Sequence, residues 1–304
     1  MSVMPATHIF QILNHYTPRE ALDPGFGVLD NSANVRPDWY EYWPIRHFLL
    51  NESLDEAAYY GFLSPKFEHK TNMTAAMVDD FIQISDPATD VFLFSPSIHN
   101  GSYFLNVFEH GESDHPGLVQ VSKRLFQRIG RTVDWDNLVT DSRTMVYSNY
   151  FVAKPRFWRE WLALFEQMFS IAETAEDDLG KALRAPAPYR GAVDVPMKIF
   201  VMERMATLIL ATDPRFRARA RDPFAAQRRI YKLPLAVVCD ALKIAYVTTG
   251  RGQYKDVFVM IRNLRKLLNM QIRIGSFIGW PGVRPALRVL QSYWRRERPP
   301  EGPA

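Results

Sequence analysis

The chain has 304 residues, 47% of them hydrophobic and 13% aromatic, which excludes a disordered polymer and a small scaffold dependent on staples. Its single cysteine, Cys239, excludes an internal disulfide framework and a four-cysteine zinc site. The net charge of +4 hides a division: residues 1–212 carry 18 Lys+Arg against 27 Asp+Glu, and residues 213–304 carry 19 against 6. That asymmetry predicts an acidic or neutral working domain over 1–212 and a basic extension over 213–304 that meets an anionic partner.

His8–Leu13 is short, apolar and rich in branched residues, the pattern of a buried first strand. A loop follows from Asp23 and reaches Asp30-Asn31-Ser32-Ala33-Asn34. Pro37 suits the first turn of a helix running to about Leu50, and Pro44 within it predicts a kink or an early stop. Ala58–Leu63 reads as a second strand, residues 73–84 as a helix, and Asp90–Phe94 as a third strand. Tyr103 to Gly130 is helical in pattern, interrupted by Glu109–His115, where Gly111 and Pro116 predict a loop.

Thr144–Ala153 is strand-like, and Pro155 opens an amphipathic helix whose stripe of Phe157, Trp158, Trp161 and Phe165 reads as core. Residues 171–191 read as an exposed loop and Lys198–Ala211 as a helix. The extension holds helices near 233–248 and 253–270 and a basic amphipathic segment at 284–296. Strands alternating with helices over 1–212 predict an α/β sandwich, with a mostly helical extension behind it. The first 20 residues lack a charged region followed by an apolar one, and Asp240 and Lys243 break the best apolar run. A cytoplasmic protein without a spanning helix is the expectation.

The signatures of phosphate loops, dinucleotide folds, zincins and hydrolase elbows are absent from the sequence. Three constellations remain: Asp30-Asn31-Ser32, the segment Ser64-Pro65-Lys66-Phe67-Glu68-His69-Lys70, and Glu203-Arg204 downstream of Ser148–Phe151. In this order the segments resemble the bacterial capsule and O-antigen glycosyltransferases of the galactofuranosyltransferase type. The resemblance rests on Asp30-Asn31-Ser32 with Trp39-Tyr40-Glu41-Tyr42-Trp43, and on Tyr60–Phe67. It continues through Asn149–Ala153 with Phe157-Trp158, and through Phe200-Val201-Met202-Glu203-Arg204. It covers residues 8–211 by order and spacing, with the basic strand exit at Ser64-Pro65-Lys66 departing from the family pattern.

The resemblance implies a GT-A-like fold that binds a nucleotide sugar, with UDP-galactofuranose the donor the family suggests. It implies transfer to a lipid-linked surface polysaccharide at the inner face of the cytoplasmic membrane. Asn14, Asp30 and Asn31 would line the nucleotide pocket, and Asn149 would lie near the donor sugar. Lys66 and Lys70 would face the diphosphate, whose charge must be met by cations, N–H groups or a metal. With no carboxylate pair at the strand exit, neither a divalent metal nor any other cofactor is expected. Glu203, one acid in an apolar helix, is the candidate base for the acceptor hydroxyl; Arg204 beside it is placed on the donor side. Glu41 is the second candidate base, or a donor ligand. Glu109, His110 and His115 read as an acceptor-side loop rather than a metal site. An anionic membrane surface is the expected partner of residues 213–304, and nucleic acid is not expected. Two readings of other classes stand beside this one: a non-catalytic scaffold in a polysaccharide assembly complex, and a nucleic-acid-binding protein acting through the basic tail and its Arg215–Arg221 stretch.

Overall fold

The computed structural model describes residues 5–96, 101–187, 195–224 and 233–278, with side chains in the last span described for 234–266. In chain order the first compact unit carries β1 (Thr7–Asn14), β2 (Gly27–Asn31), α1 (Tyr42–Asn51), β3 (Tyr59–Leu63), α2 (Phe67–Thr71), α3 (Ala75–Gln83) and β4 (Val91–Leu93). It continues with α4 (Val107–Asp114), α5 (Leu118–Arg128), β5 (Phe151–Ala153), α6 (Pro155–Thr174), α7 (Asp178–Arg184), β6 (Pro186–Ala187), β7 (Val195–Pro196), α8 (Met197–Met202), α9 (Met205–Thr212) and β8 (Ala218–Ala220). The second unit carries α10 (Leu233–Thr249) and α11 (Gly252–Ile278).

Six strands form a mixed sheet in the order β2-β1-β3-β5-β4-β8. β1 runs parallel to β2 and β3, β4 runs parallel to β8, and β5 is antiparallel to both of its neighbours. The central strands are buried on both faces, as a sheet covered by helices on each side requires. Alternation sorts their side chains. Tyr60, Phe62, Val91, Leu93 and Phe151 join the large core with α1, α4–α6, α8 and α9, while Tyr59, Leu63, Phe92 and Val152 join a smaller core with α2 and α3. The result is a three-layer α/β sandwich.

The stripe on α6 is core, as its spacing predicts. Trp158 is fully buried, stacks on Phe151 at 4.5 Å, and donates its indole N–H to the Tyr60 carbonyl at 3.0 Å. That bond fixes α6 over β3, since a buried indole N–H needs an acceptor.

Several elements differ from the sequence reading, each for a local reason. β2 occupies part of the expected loop, because an edge strand tolerates the polar Asp30 and Asn31 that argue against a central one. The helix expected from Pro37 is a short turn, Pro37–Trp39, broken at Tyr40 (φ 51°); α1 then starts at Tyr42, so Pro44 sits harmlessly in its first turn. Residues 107–114 form α4 rather than a loop, capped by the Asn106 side chain on the Glu109 N–H. Only Phe151–Ala153 of the expected 144–153 strand pairs, since Ser148 and Asn149 both adopt left-handed conformations. Residues 171–174 and 178–184 are helical rather than an exposed loop, and the 198–211 helix is interrupted at Glu203-Arg204. The basic segment expected at 284–296 lies outside the described residues.

The division between units also moves, from residue 212 to 226. β8 belongs to the main sheet, and Asp90 is the reason it stays there. This buried carboxylate accepts from Arg156 at 2.8 and 2.5 Å and from the Arg217 backbone N–H at 2.9 Å, joining β4, α6 and the start of β8. In the second unit Ala236, Cys239 and Phe258 are buried, and Gly250 (φ 68°) ends α10 with its N–H on the Tyr246 carbonyl. Among the described residues no helix is long and apolar enough to cross a membrane.

A chain ending at residue 226 should therefore melt as a cooperative unit. A chain ending at residue 212 loses β8, uncovers the edge of β4 and leaves Asp90 with one partner fewer, and should melt at least about 5 °C lower. Melting curves by circular dichroism compare the two. Equal midpoints would show that β8 contributes nothing to the sheet.

Candidate functional site

Open α/β sheets bind ligands beyond the carboxyl ends of their parallel strands. Here Asn14 ends β1, Asn31 ends β2 directly beside it in register, and Ser64 follows β3. Three further segments close over these ends: the turn bearing Tyr40 and Glu41, the left-handed pair Ser148-Asn149, and the break at Glu203 between α8 and α9. Together they enclose a cavity of about 410 Å³ lined by Asn14, Asn31, Glu41, Lys70, Asn149 and Glu203, with Tyr16, Tyr40 and Phe200 as aromatic walls.

The turn that carries Glu41 is clamped from below. Lys198, only 3% exposed, donates to Asp38 at 2.6 Å and lies 4.0 Å over the Trp39 ring. Arg36 pairs with the same Asp38 and with Glu173, and Glu173 also accepts the Trp39 indole N–H at 2.8 Å. Burial favours a neutral Asp38, but Arg36 and Lys198 override it and hold the carboxyl at about 2. A positive φ at a tyrosine is costly, and it persists where its surroundings over-determine it. Here a fully buried Trp39 on one side and α1 on the other do so.

Electrostatically the cavity is a contest between two carboxylates and nearby lysines. Burial pushes the half-buried Glu41 up to about 7; Lys70 and Lys66 pull the other way, and the Glu203 carboxylate reinforces the rise. Burial and both carboxylates likewise push the Tyr42 phenol well above its ordinary value, so it remains a neutral hydroxyl. The Glu203 side chain is 41% exposed and sits 3.6 Å from the Arg204 guanidinium. Lys70 donates to Ser148 Oγ at 3.1 Å and lies 5.4 Å over the Tyr150 ring, whose hydroxyl meets Ser64 Oγ at 2.5 Å.

Asn149 stands apart from these paired groups. It is 4% exposed, lines the cavity, and its Nδ2 is buried with no hydrogen-bond partner. An unmet buried donor costs about 1–3 kcal/mol, and a ligand oxygen in the cavity would recover it.

Not every residue singled out in the sequence reaches this cavity. Asp30 is exposed and accepts the Ser32 N–H at 2.8 Å; hydrogen bonds from Ser32 hold its carboxyl below the ordinary value. Lys66 is exposed at the start of α2 and acts on the site only through its charge on Glu41. Arg204 is buried and used structurally: Nε donates to the Val107 carbonyl at 2.9 Å and Nη1 to that of Phe200. A Cβ on Gly111 would lie 2.4 Å from this guanidinium, so Gly111 admits Arg204 rather than breaking a helix.

The presumed acceptor-side trio is also outside the lining. Glu109 accepts the Leu105 N–H at 2.7 Å, His110 Nδ1 meets the Tyr147 hydroxyl at 2.8 Å, and His115 is buried against Phe200 with ring centroids 3.5 Å apart. Conversely, Tyr16, Asn34 and Ser148 line the site without a sequence signal beyond their lying near turns. Among the described residues no three side chains converge that could hold a metal ion. No family model, curated protein or solved structure matches the chain.

The raised Glu41 carboxyl makes stability depend on pH. Its folded value of about 7 lies above the ordinary 4.5, so the folded state holds a proton that the unfolded state releases between those values. Stability therefore falls as pH rises through that window, and the cost is fully present above about 7. Glu41→Gln should melt like the parent near pH 4.5 and become the more stable protein at pH 8, by on the order of 2 kcal/mol. A difference that does not change with pH would contradict a strained carboxyl.

Proposed function

We propose that the protein is a glycosyltransferase that takes a sugar from a nucleoside-diphosphate donor and passes it to a hydroxyl of a lipid-linked surface polysaccharide. In this reading the sandwich is GT-A-like, and the enzyme works at the inner face of the cytoplasmic membrane. The observation that carries the proposal is the meeting of Asn14, Asn31, Glu41, Lys70, Asn149 and Glu203, from separate segments, in one cavity at the strand ends. This set suits a ligand with many hydroxyls and an anionic leaving group: amides and carboxylates for hydroxyls, a cation and an amide N–H for phosphate, aromatic walls for rings.

In the transfer, the acceptor oxygen forms its bond to the anomeric carbon as the bond from that carbon to the diphosphate breaks. The electron pair leaves with the diphosphate, whose charge Lys70 and the Asn149 amide would meet. The acceptor proton goes to the Glu203 carboxylate, whose exposure leaves it open to a second substrate. Glu41, partly protonated near neutral pH, would donate to a donor hydroxyl. A nucleic-acid role is disfavoured because the guanidiniums of this stretch are engaged by the protein itself: at the surface Arg215 pairs with Asp213 and Arg217 with Asp86, and Arg221 donates to the Thr71 carbonyl.

Thermal shift with a panel of UDP-, GDP- and TDP-sugars tests the proposal. A donor at one hundred times its dissociation constant should add about 2.7 kcal/mol. Glu203→Gln should keep that shift while losing about 10²–10⁴ of turnover. Silence toward every nucleotide sugar would overturn donor binding, and a shift without turnover in the parent would favour the scaffold.

A further inference from the structure

The α10–α11 hairpin exposes a set of apolar side chains while burying two charged ones. A helix pair in water buries its apolar side chains and exposes its charges. On α10, Asp240 and Lys243 are 3% and 1% exposed, while Val237 and Val238 are 41% and 45% exposed. On α11, Val257, Met260 and Leu264 fall at i, i+3 and i+7 along one stripe and are 39%, 55% and 51% exposed. The sequence of this unit is strongly basic. Residues 227–304 carry 15 Lys+Arg and 4 Asp+Glu, a net of +11, and Asp256 is the one acidic residue of α11.

We infer that the Val257-Met260-Leu264 stripe of α11 rests on an anionic membrane leaflet. The aliphatic side chains enter the headgroup boundary and the net positive charge of the unit holds it to the charged surface. The observations favour this occupant over others. A second copy would bring one +11 unit against another, and nucleic acid offers nothing for an aliphatic stripe. No described helix can span a bilayer, so the contact is peripheral. The inference stands independently of the sugar-transfer reading, although a lipid-linked acceptor would be concentrated at the same surface.

Co-sedimentation of the full chain with vesicles tests it, using phosphatidylcholine alone and phosphatidylcholine with about 40% phosphatidylglycerol. The expected result is binding to the anionic vesicles that weakens with salt. It should fall about tenfold or more in the double variant Met260→Ser/Leu264→Ser. Val257→Ser, which alters one exposed position, should weaken binding in the same direction and provides the test if the double variant does not fold. Undiminished binding by correctly folded variants, or equal binding to both vesicle types, would overturn the inference. So would a dimer that the double variant dissolves, or salt-sensitive binding of single-stranded DNA without vesicle binding.

Discussion

The candidate site depends on an ion pair that it does not itself contain. Lys198 reaches Asp38 beneath the Trp39 indole and is almost wholly removed from water. Burying the Lys198 ammonium costs solvation that its attraction to the partly exposed Asp38 only partly returns. The return is positional: Asp38 and Trp39 are pinned, Tyr40 is held at positive φ, and Glu41 is delivered to the cavity. Because Lys198 lies on α8, the same element that ends at Glu203, the clamp also fixes one carboxylate-bearing segment against the other. Two acids that influence each other are thereby held on walls built from distant parts of the chain.

This arrangement stores unfavourable free energy in three forms: a carboxyl raised by burial, an amide N–H without an acceptor, and positive φ angles at Tyr40, Ser148 and Asn149. A fold selected for stability alone would relieve each of them with an ordinary substitution. Their concentration around one cavity is the physical argument that it receives a ligand. The sheet that supports it is regular by comparison, with its antiparallel β5 packed between β3 and β4 and its central strands buried on both faces.

Much of this was legible in the sequence where the hydrophobic pattern is strong. β1, β3, β4, α3, α6 and the two helices of the second unit follow from apolar runs and spacing. The losses share a cause: local signals were overruled by tertiary contacts. Gly111 suggested a break, but the Arg204 guanidinium occupies the space that a side chain would need. Thr144–Tyr150 has strand composition, but left-handed Ser148 and Asn149 turn it into a wall of the cavity. Asp30 and Arg204 looked chemical by type; one closes a turn and the other binds carbonyls within the core. Glu41, Lys70, Asn149 and Glu203 could be named as polar residues in suggestive settings. Their convergence comes from a topology that spacing along the chain does not encode.

If the proposal is right, the cavity at the ends of β1, β2 and β3 binds a ligand bearing phosphate and sugar oxygens. A crystal structure of the full chain with a nucleoside diphosphate or an unreactive donor analogue tests it most directly. One ligand oxygen should lie within about 3.2 Å of Asn149 Nδ2 and another within the same reach of Lys70 Nζ. A ligand bound elsewhere, with the Asn149 amide still unpaired, would contradict it.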